Sequence, residues 1–157
     1  MMESNRIKMI SGFYNEIDED SRLINTRQGQ LEYFTTMHYI HRFINKDSKI
    51  LEVGAGTGRY SVTLAKEGFD VTAVELVKSN LEILQKKSKH LKNIQSFEGD
   101  ALDLSRFSDN TFDLTLVLGP LYHLYEKTDI NKAIDEAIRV TKRDGIIIVA
   151  FISVYAI

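Results

Sequence analysis

The sequence predicts an α/β protein: a doubly wound, mainly parallel sheet with helices on both faces, preceded by a helical segment. Three observations carry this expectation. From residue 49 onward, short apolar runs alternate with stretches of helical periodicity, the pattern of strands joined by crossover helices. A glycine-rich turn, Gly54-Ala55-Gly56-Thr57-Gly58, directly follows the first run. The last run, Ile146-Ile147-Ile148-Val149-Ala150-Phe151-Ile152, is apolar without alternation, as a strand buried on both faces should be.

The elements follow in order. Residues 7–14 read as a short helix, leading into an acidic, turn-like stretch at 15–20. Residues 27–45 read as a longer helix, with Tyr33, Met37, Ile40 and Ile44 at helical spacing. The first strand is 49–53. A helix then opens at Arg59 or Tyr60 and stops at Gly68, a favoured residue just past a helix end. Residues 71–74 form strand two. The next helix opens on Ser79-Asn80-Leu81-Glu82, a capping-box pattern, and turns Val77, Leu81, Leu84 and Leu91 to the core. Strand three is 94–97 and strand four 112–118. A helix over 128–141 carries Ile130, Ala133, Ile134, Ala137 and Ile138 on one face. Asp144-Gly145 then turns the chain into strand five from Ile146. Right-handed crossovers between parallel strands place any ligand at the carboxyl ends of the strands, near the switch in strand order.

A chain of 157 residues fits one domain, divided here into a helical cap over 1–46 and a core over 47–157. Hydrophobic residues make up 43% and charged residues 27%, the balance of an ordinary globular protein. The net charge of −2 offers no basic excess for nucleic acid. The cluster Lys86, Lys87, Lys89 and Lys92 reads as cations complementing a helix C-terminus. The sequence has no cysteine, which excludes disulfides, thiolate metal sites and cysteine nucleophiles. Residues 1–10 lack a signal-peptide apolar run, and 145–157 is too short to span a bilayer. The expectation is a cytoplasmic enzyme with no membrane partner.

The chemistry concentrates at three strand ends. Glycines after the first strand let the backbone turn sharply and approach a ligand, and the following helix offers free N–H groups. A dinucleotide site has the spacing G-x-G-x-x-G. Here the glycines are Gly54, Gly56 and Gly58, and Arg59 stands at the third dinucleotide position, which disfavours NAD or FAD. Glu75 ends strand two, where a carboxylate can accept hydrogen bonds from ribose hydroxyls. Asp100, in Glu98-Gly99-Asp100-Ala101, follows strand three and can reach an adenine amino group or cap local backbone.

In this order the segments resemble the class I S-adenosylmethionine-dependent methyltransferases, nearest the small-molecule branch, over roughly residues 50–152. The matching residues are Ile50-Leu51-Glu52-Val53-Gly54-Ala55-Gly56-Thr57-Gly58, Val74-Glu75, Glu98-Gly99-Asp100-Ala101, Phe112-Asp113-Leu114 and Arg139-Val140-Thr141-Lys142. The resemblance implies a Rossmann-like sheet of order 3-2-1-4-5 and S-adenosylmethionine as cofactor, with S-adenosylhomocysteine as product. It implies that Glu52 and the turn formed by Gly54, Ala55, Gly56 and Gly58 hold the methionine end. Glu75 would take the ribose hydroxyls, Leu76 would pack on the adenine, and Asp100 would take its amino group beside the Ala101 backbone. The loop from Leu118 through Gly119, Pro120, Leu121, Tyr122 and His123 would face the transferable methyl group. Tyr14 and Arg27, in the N-terminal segment, are candidates for the cofactor's carboxylate.

The same loop departs from the Asp/Asn-Pro-Pro-Tyr pattern of enzymes that methylate exocyclic amino groups of bases; Gly119-Pro120-Leu121-Tyr122 lacks that acceptor. It is closer to a Leu-His-His type loop, with Tyr122 and His123 in those places; His123 reads as a histidine packed on the cofactor or, as the best candidate, a general base. His38 and His41 read as ordinary helix positions. Methyl transfer needs chiefly positioning and exclusion of water, and a base only where the nucleophile must lose a proton.

The family's sheet has two further strands, six and seven, which this sequence lacks. That predicts a fragment of a longer protein, a partner or second copy covering the strand-five edge, or a looser C-terminus. The leading reading is methyl transfer to a small-molecule acceptor. A non-catalytic cofactor-binding or partner-binding module is the alternative, and a nicotinamide-dependent oxidoreductase a third.

Overall fold

The computed structural model describes residues 2–16, 19–21 and 24–151. Five parallel strands form one sheet in the order β3-β2-β1-β4-β5: β1 is Lys49–Val53, β2 Asp70–Glu75, β3 Ile94–Glu98, β4 Phe112–Val117 and β5 Thr141–Val149. Helices α1 (Met2–Glu16) and α2 (Arg27–Phe43) precede the sheet, with a turn of 3-10 helix at Glu19–Ser21 between them. Helices α3 (Arg59–Lys66), α4 (Lys78–Ser88) and α5 (Lys127–Val140) are the crossovers. The expected architecture and strand order are present.

Each central strand is apolar on both faces because each face meets helices. On one face Ile50, Val71, Leu114 and Leu116 pack against Tyr33, Met37 and Ile40 of α2 and Leu64 of α3. On the other, Leu51, Val53, Val74 and Phe112 pack against Leu102, Leu104, and Ala133 and Val140 of α5. Thr26 caps α2, its hydroxyl accepting the Gly29 N–H at 3.0 Å.

Four expectations are corrected in detail. Helix α1 is longer than 7–14. The capping box at Ser79 does not form: α4 starts one residue earlier, at Lys78, and the Val77 N–H before it is held by Glu75 Oε1 at 2.8 Å. Strand β5 begins at Thr141, not Ile146. Phe112 pairs with Thr141 and Leu114 with Ile146, so residues 142–145 form an irregularity inside the strand. Its apolar run is only half buried, because β5 is the sheet edge. On α5 the buried stripe is Ala133, Ala137 and Val140, whereas Ile138 is 56% exposed. The last part of the expected fifth strand, from Ile152, lies outside the described residues.

Candidate active site

The carboxyl ends of β1 to β4 open into a cavity of about 640 Å³. Its floor is the glycine turn. Gly54 has φ +72, and a Cβ there would lie 2.6 Å from Cγ of Pro120. The turn after β1 and the loop after β4 therefore touch directly, and only glycine permits it. Gly54 and Ala55 donate their N–H groups to Val74 O at 2.8 and 3.0 Å, tying the turn to β2.

Two carboxylates brace this floor. Glu75, buried at the end of β2, accepts the Gly56 N–H on Oε2 at 2.7 Å and the Val77 N–H on Oε1 at 2.8 Å. It thereby holds the glycine turn and the entry to α4 together. Glu52, 2% exposed on β1, accepts the Ser61 N–H at 2.9 Å and the Ser61 hydroxyl on the same oxygen. Burial pushes its carboxyl up to about 8, and the neighbouring Glu75 charge adds to that.

The roof comes from α1. Arg6, Ile10 and Phe13 recur at helical spacing and line the cavity with Met9 and Tyr14. The Tyr14 hydroxyl lies 2.9 Å from His123 Nε2, the His123 tautomer setting which atom donates. Their rings meet edge-on with centroids 5.4 Å apart. Burial, then the charge of Arg6, hold His123 below its ordinary value, which keeps the imidazole neutral at pH 7. Arg6 also pairs with Oδ2 of Asp100, whose Oδ1 accepts the Leu102 N–H at 3.1 Å. At the other end, Asp20 pairs with Lys87 and accepts the Thr57 hydroxyl at 2.9 Å, so the 3-10 turn is fastened to the glycine turn. The lysine cluster on α4 thus includes one residue, Lys87, that reaches the rim of the site.

The cavity is lined by Tyr14, Glu52, Gly54, Ala55, Gly56, Glu75, Leu76, Asp100, Ala101, Leu118, Tyr122 and His123, all singled out from the sequence. Two other candidates are placed elsewhere. Gly58 has φ +83 and packs against the Leu84 side chain, where a Cβ would lie 2.7 Å from Cγ; it closes α3 onto α4. Arg27 is exposed at the start of α2, outside the lining. His38 and His41 are also outside it, and His41 bonds Glu67 Oε2 at 2.7 Å through Nε2. Sequence reasoning missed Arg6, Phe13, Asp20 and Arg59 as lining residues. Among these, only the spacing of Arg6, Ile10 and Phe13 carried a legible signal.

A doubly wound sheet with acidic residues at the ends of adjacent strands and a glycine turn beneath the cavity defines a nucleoside-cofactor-binding α/β protein. The sequence pattern of the methyltransferase domain matches residues 51–149, and the chain belongs to that family. A Geobacillus sp. (strain WCH70) protein named as a methyltransferase is 35% identical over 109 residues, which are 68% of this chain and 43% of that one. The chain thus spans less than half of that relative's length. The crystal structure of the PH0226 protein from Pyrococcus horikoshii superimposes with a TM-score of 0.74 at 26% identity, over 88% of this chain and 64% of that one. Phosphoethanolamine N-methyltransferase 1 of Haemonchus contortus, solved with phosphoethanolamine and S-adenosylhomocysteine, has the same fold: TM-score 0.74, 23% identity, 91% of this chain and 31% of that one. The family's cofactor is S-adenosylmethionine. The cavity suits it: carboxylates stand at the β2 and β3 ends, and the glycine turn leaves backbone open to close approach. Among the described residues no helix is long and apolar enough to cross a membrane.

Proposed function

We propose that this chain binds S-adenosylmethionine on the floor of the cavity and directs methyl transfer to a small-molecule acceptor held beneath α1. The observation that carries this reading is the Tyr14–His123 contact at 2.9 Å, which joins the cap to the loop after β4 across the mouth of the cofactor site. When bound, the cofactor supplies an activated methyl group on a sulfonium. Glu75 would receive the ribose hydroxyls while keeping its hold on Gly56, Asp100 the adenine amino group, and Leu76 and Ala101 the adenine faces. Glu52 and the glycine turn would hold the methionine end. The apolar and aromatic lining from Met9, Ile10, Phe13 and Tyr122 would cover bound cofactor and acceptor and displace water from them, as an in-line displacement requires.

His123, held below its ordinary value by burial, would take a proton from an acceptor that must lose one, with the Tyr14 contact orienting its ring. The test is conversion of S-adenosylmethionine to S-adenosylhomocysteine across a panel of amine, thiol, phenol and quinol acceptors, with NAD as a binding control. Turnover with one acceptor class, lowered about a hundredfold or more by His123→Gln at unchanged cofactor affinity, is the expected result. Equal losses of turnover and cofactor affinity would make His123 a wall of the cofactor site instead of a base. Cofactor binding with no turnover anywhere would favour a non-catalytic module.

A further inference from the structure

Arg59 is the first residue of α3 and lines the cavity beside the glycine turn. Its Nε is buried and has no hydrogen-bond partner among the described residues. The guanidinium lies over the Tyr33 ring, 4.5 Å from the centroid. That ring is itself fixed: it stacks on Tyr60 at 5.4 Å, and its hydroxyl donates to Thr63 Oγ1 at 3.1 Å. A cation stacked on an immobilised ring is pre-oriented, and its in-plane N–H fork still needs an acceptor. Asp20, which also lines the cavity, is already paired with Lys87 and bonded to Thr57.

We propose that Arg59 is the residue that holds the α-carboxylate of the cofactor's methionine moiety. This rests on the cofactor reading above and adds to it the partner of the cofactor's one anionic group. The sequence pointed instead to Tyr14 and Arg27 for this role. Arg27 is outside the cavity, and Tyr14 is engaged with His123. Arg59 directly follows Gly58 and shares the cavity lining with Glu52 and the glycine turn proposed to hold the methionine end. A fork of N–H donors matches a carboxylate in plane, and the Tyr33 face keeps it from rotating away.

The test compares S-adenosylhomocysteine with 5′-methylthioadenosine, which keeps the adenosine and the thioether but lacks the aminocarboxylate. Calorimetric titration of the wild-type chain and of Arg59→Gln with both compounds reads the difference directly. The expected result is that Arg59→Gln weakens S-adenosylhomocysteine by on the order of 10- to 100-fold, the usual size for a charge-assisted pair, and leaves methylthioadenosine unchanged. Arg59→Lys, which keeps the charge without the planar fork, should fall between, and it carries the same comparison if the glutamine variant fails to fold. Equal weakening of both compounds, or no weakening of either, overturns the assignment while leaving the cofactor reading intact. A folded wild-type chain that binds neither compound overturns both.

Discussion

Glu52 is a carboxyl group held where a carboxylate is poorly solvated. It is 2% exposed, and its described hydrogen bonds both come from Ser61. Its pKa rises from an ordinary 4.5 to about 8 because burial disfavours the charged form. Between those values the folded chain holds a proton that the unfolded chain has released. Stability contributed by this group is therefore greatest below about pH 5 and falls as the pH rises toward 8, by about 1.4 kcal/mol per unit at most. The expected outcome is a melting temperature that declines across pH 5 to 8 in the wild type and declines less in Glu52→Gln, which keeps an acceptor for Ser61. Parallel slopes in the two proteins would show that Glu52 is ionised throughout. If Glu52 holds the methionine end as proposed, a cationic sulfonium or ammonium there would favour the ionised form and couple cofactor binding to proton release.

At the scale of elements, the first three strands were legible because their ends are marked by chemistry as well as by hydrophobicity. Val53 runs into glycine, Val74 into Glu75, and Phe97 into Glu98-Gly99-Asp100. The helices were less legible. Ser79 looked like a cap, but the helix is entered at Val77, where Glu75 across the turn holds the N–H, so Ser79 already lies inside the first turn. Helix α1 was read short, and its cavity face passed unnoticed, because an apolar stripe facing a ligand looks like one facing a core. Arg6 shows what this hides. It pairs with Oδ2 of Asp100, the carboxylate proposed above for the adenine amino group. On that proposal, the cap and the adenine compete for one carboxylate. Arg6→Gln is expected to tighten S-adenosylhomocysteine about fivefold, the rough worth of a half-buried pair near 1 kcal/mol. Calorimetry measures this; weaker binding by the variant would mean that Arg6 helps to hold the cofactor.

At the scale of the whole molecule, the parallel doubly wound sheet was legible from the alternation of strands and helices, since right-handed crossovers leave few arrangements, and its order from the family resemblance. The condition of β5 was not. Its apolar run promised two buried faces, yet the strand is the sheet edge and half buried, and Phe151 beyond it is 73% exposed. Burial of an edge depends on what lies beside it, which hydrophobicity within the strand cannot report. The cap has the same dependence. Helix α1 leaves Met9 and Phe13 more than half exposed and is fastened across the cavity by the Arg6–Asp100 and Tyr14–His123 contacts. A molecule bound between cap and sheet would serve as a shared core for both layers. Mass action then stabilises the fold by about 2.7 kcal/mol at a ligand concentration one hundred times Kd. For a chain of this size that is a rise in melting temperature of roughly 5–10 °C. S-adenosylhomocysteine should produce this rise and NAD none. Amide exchange should slow in α1 as well as in the glycine turn. A rise in melting temperature with no change in α1 exchange would place the ligand on the sheet alone and leave the cap out of the site.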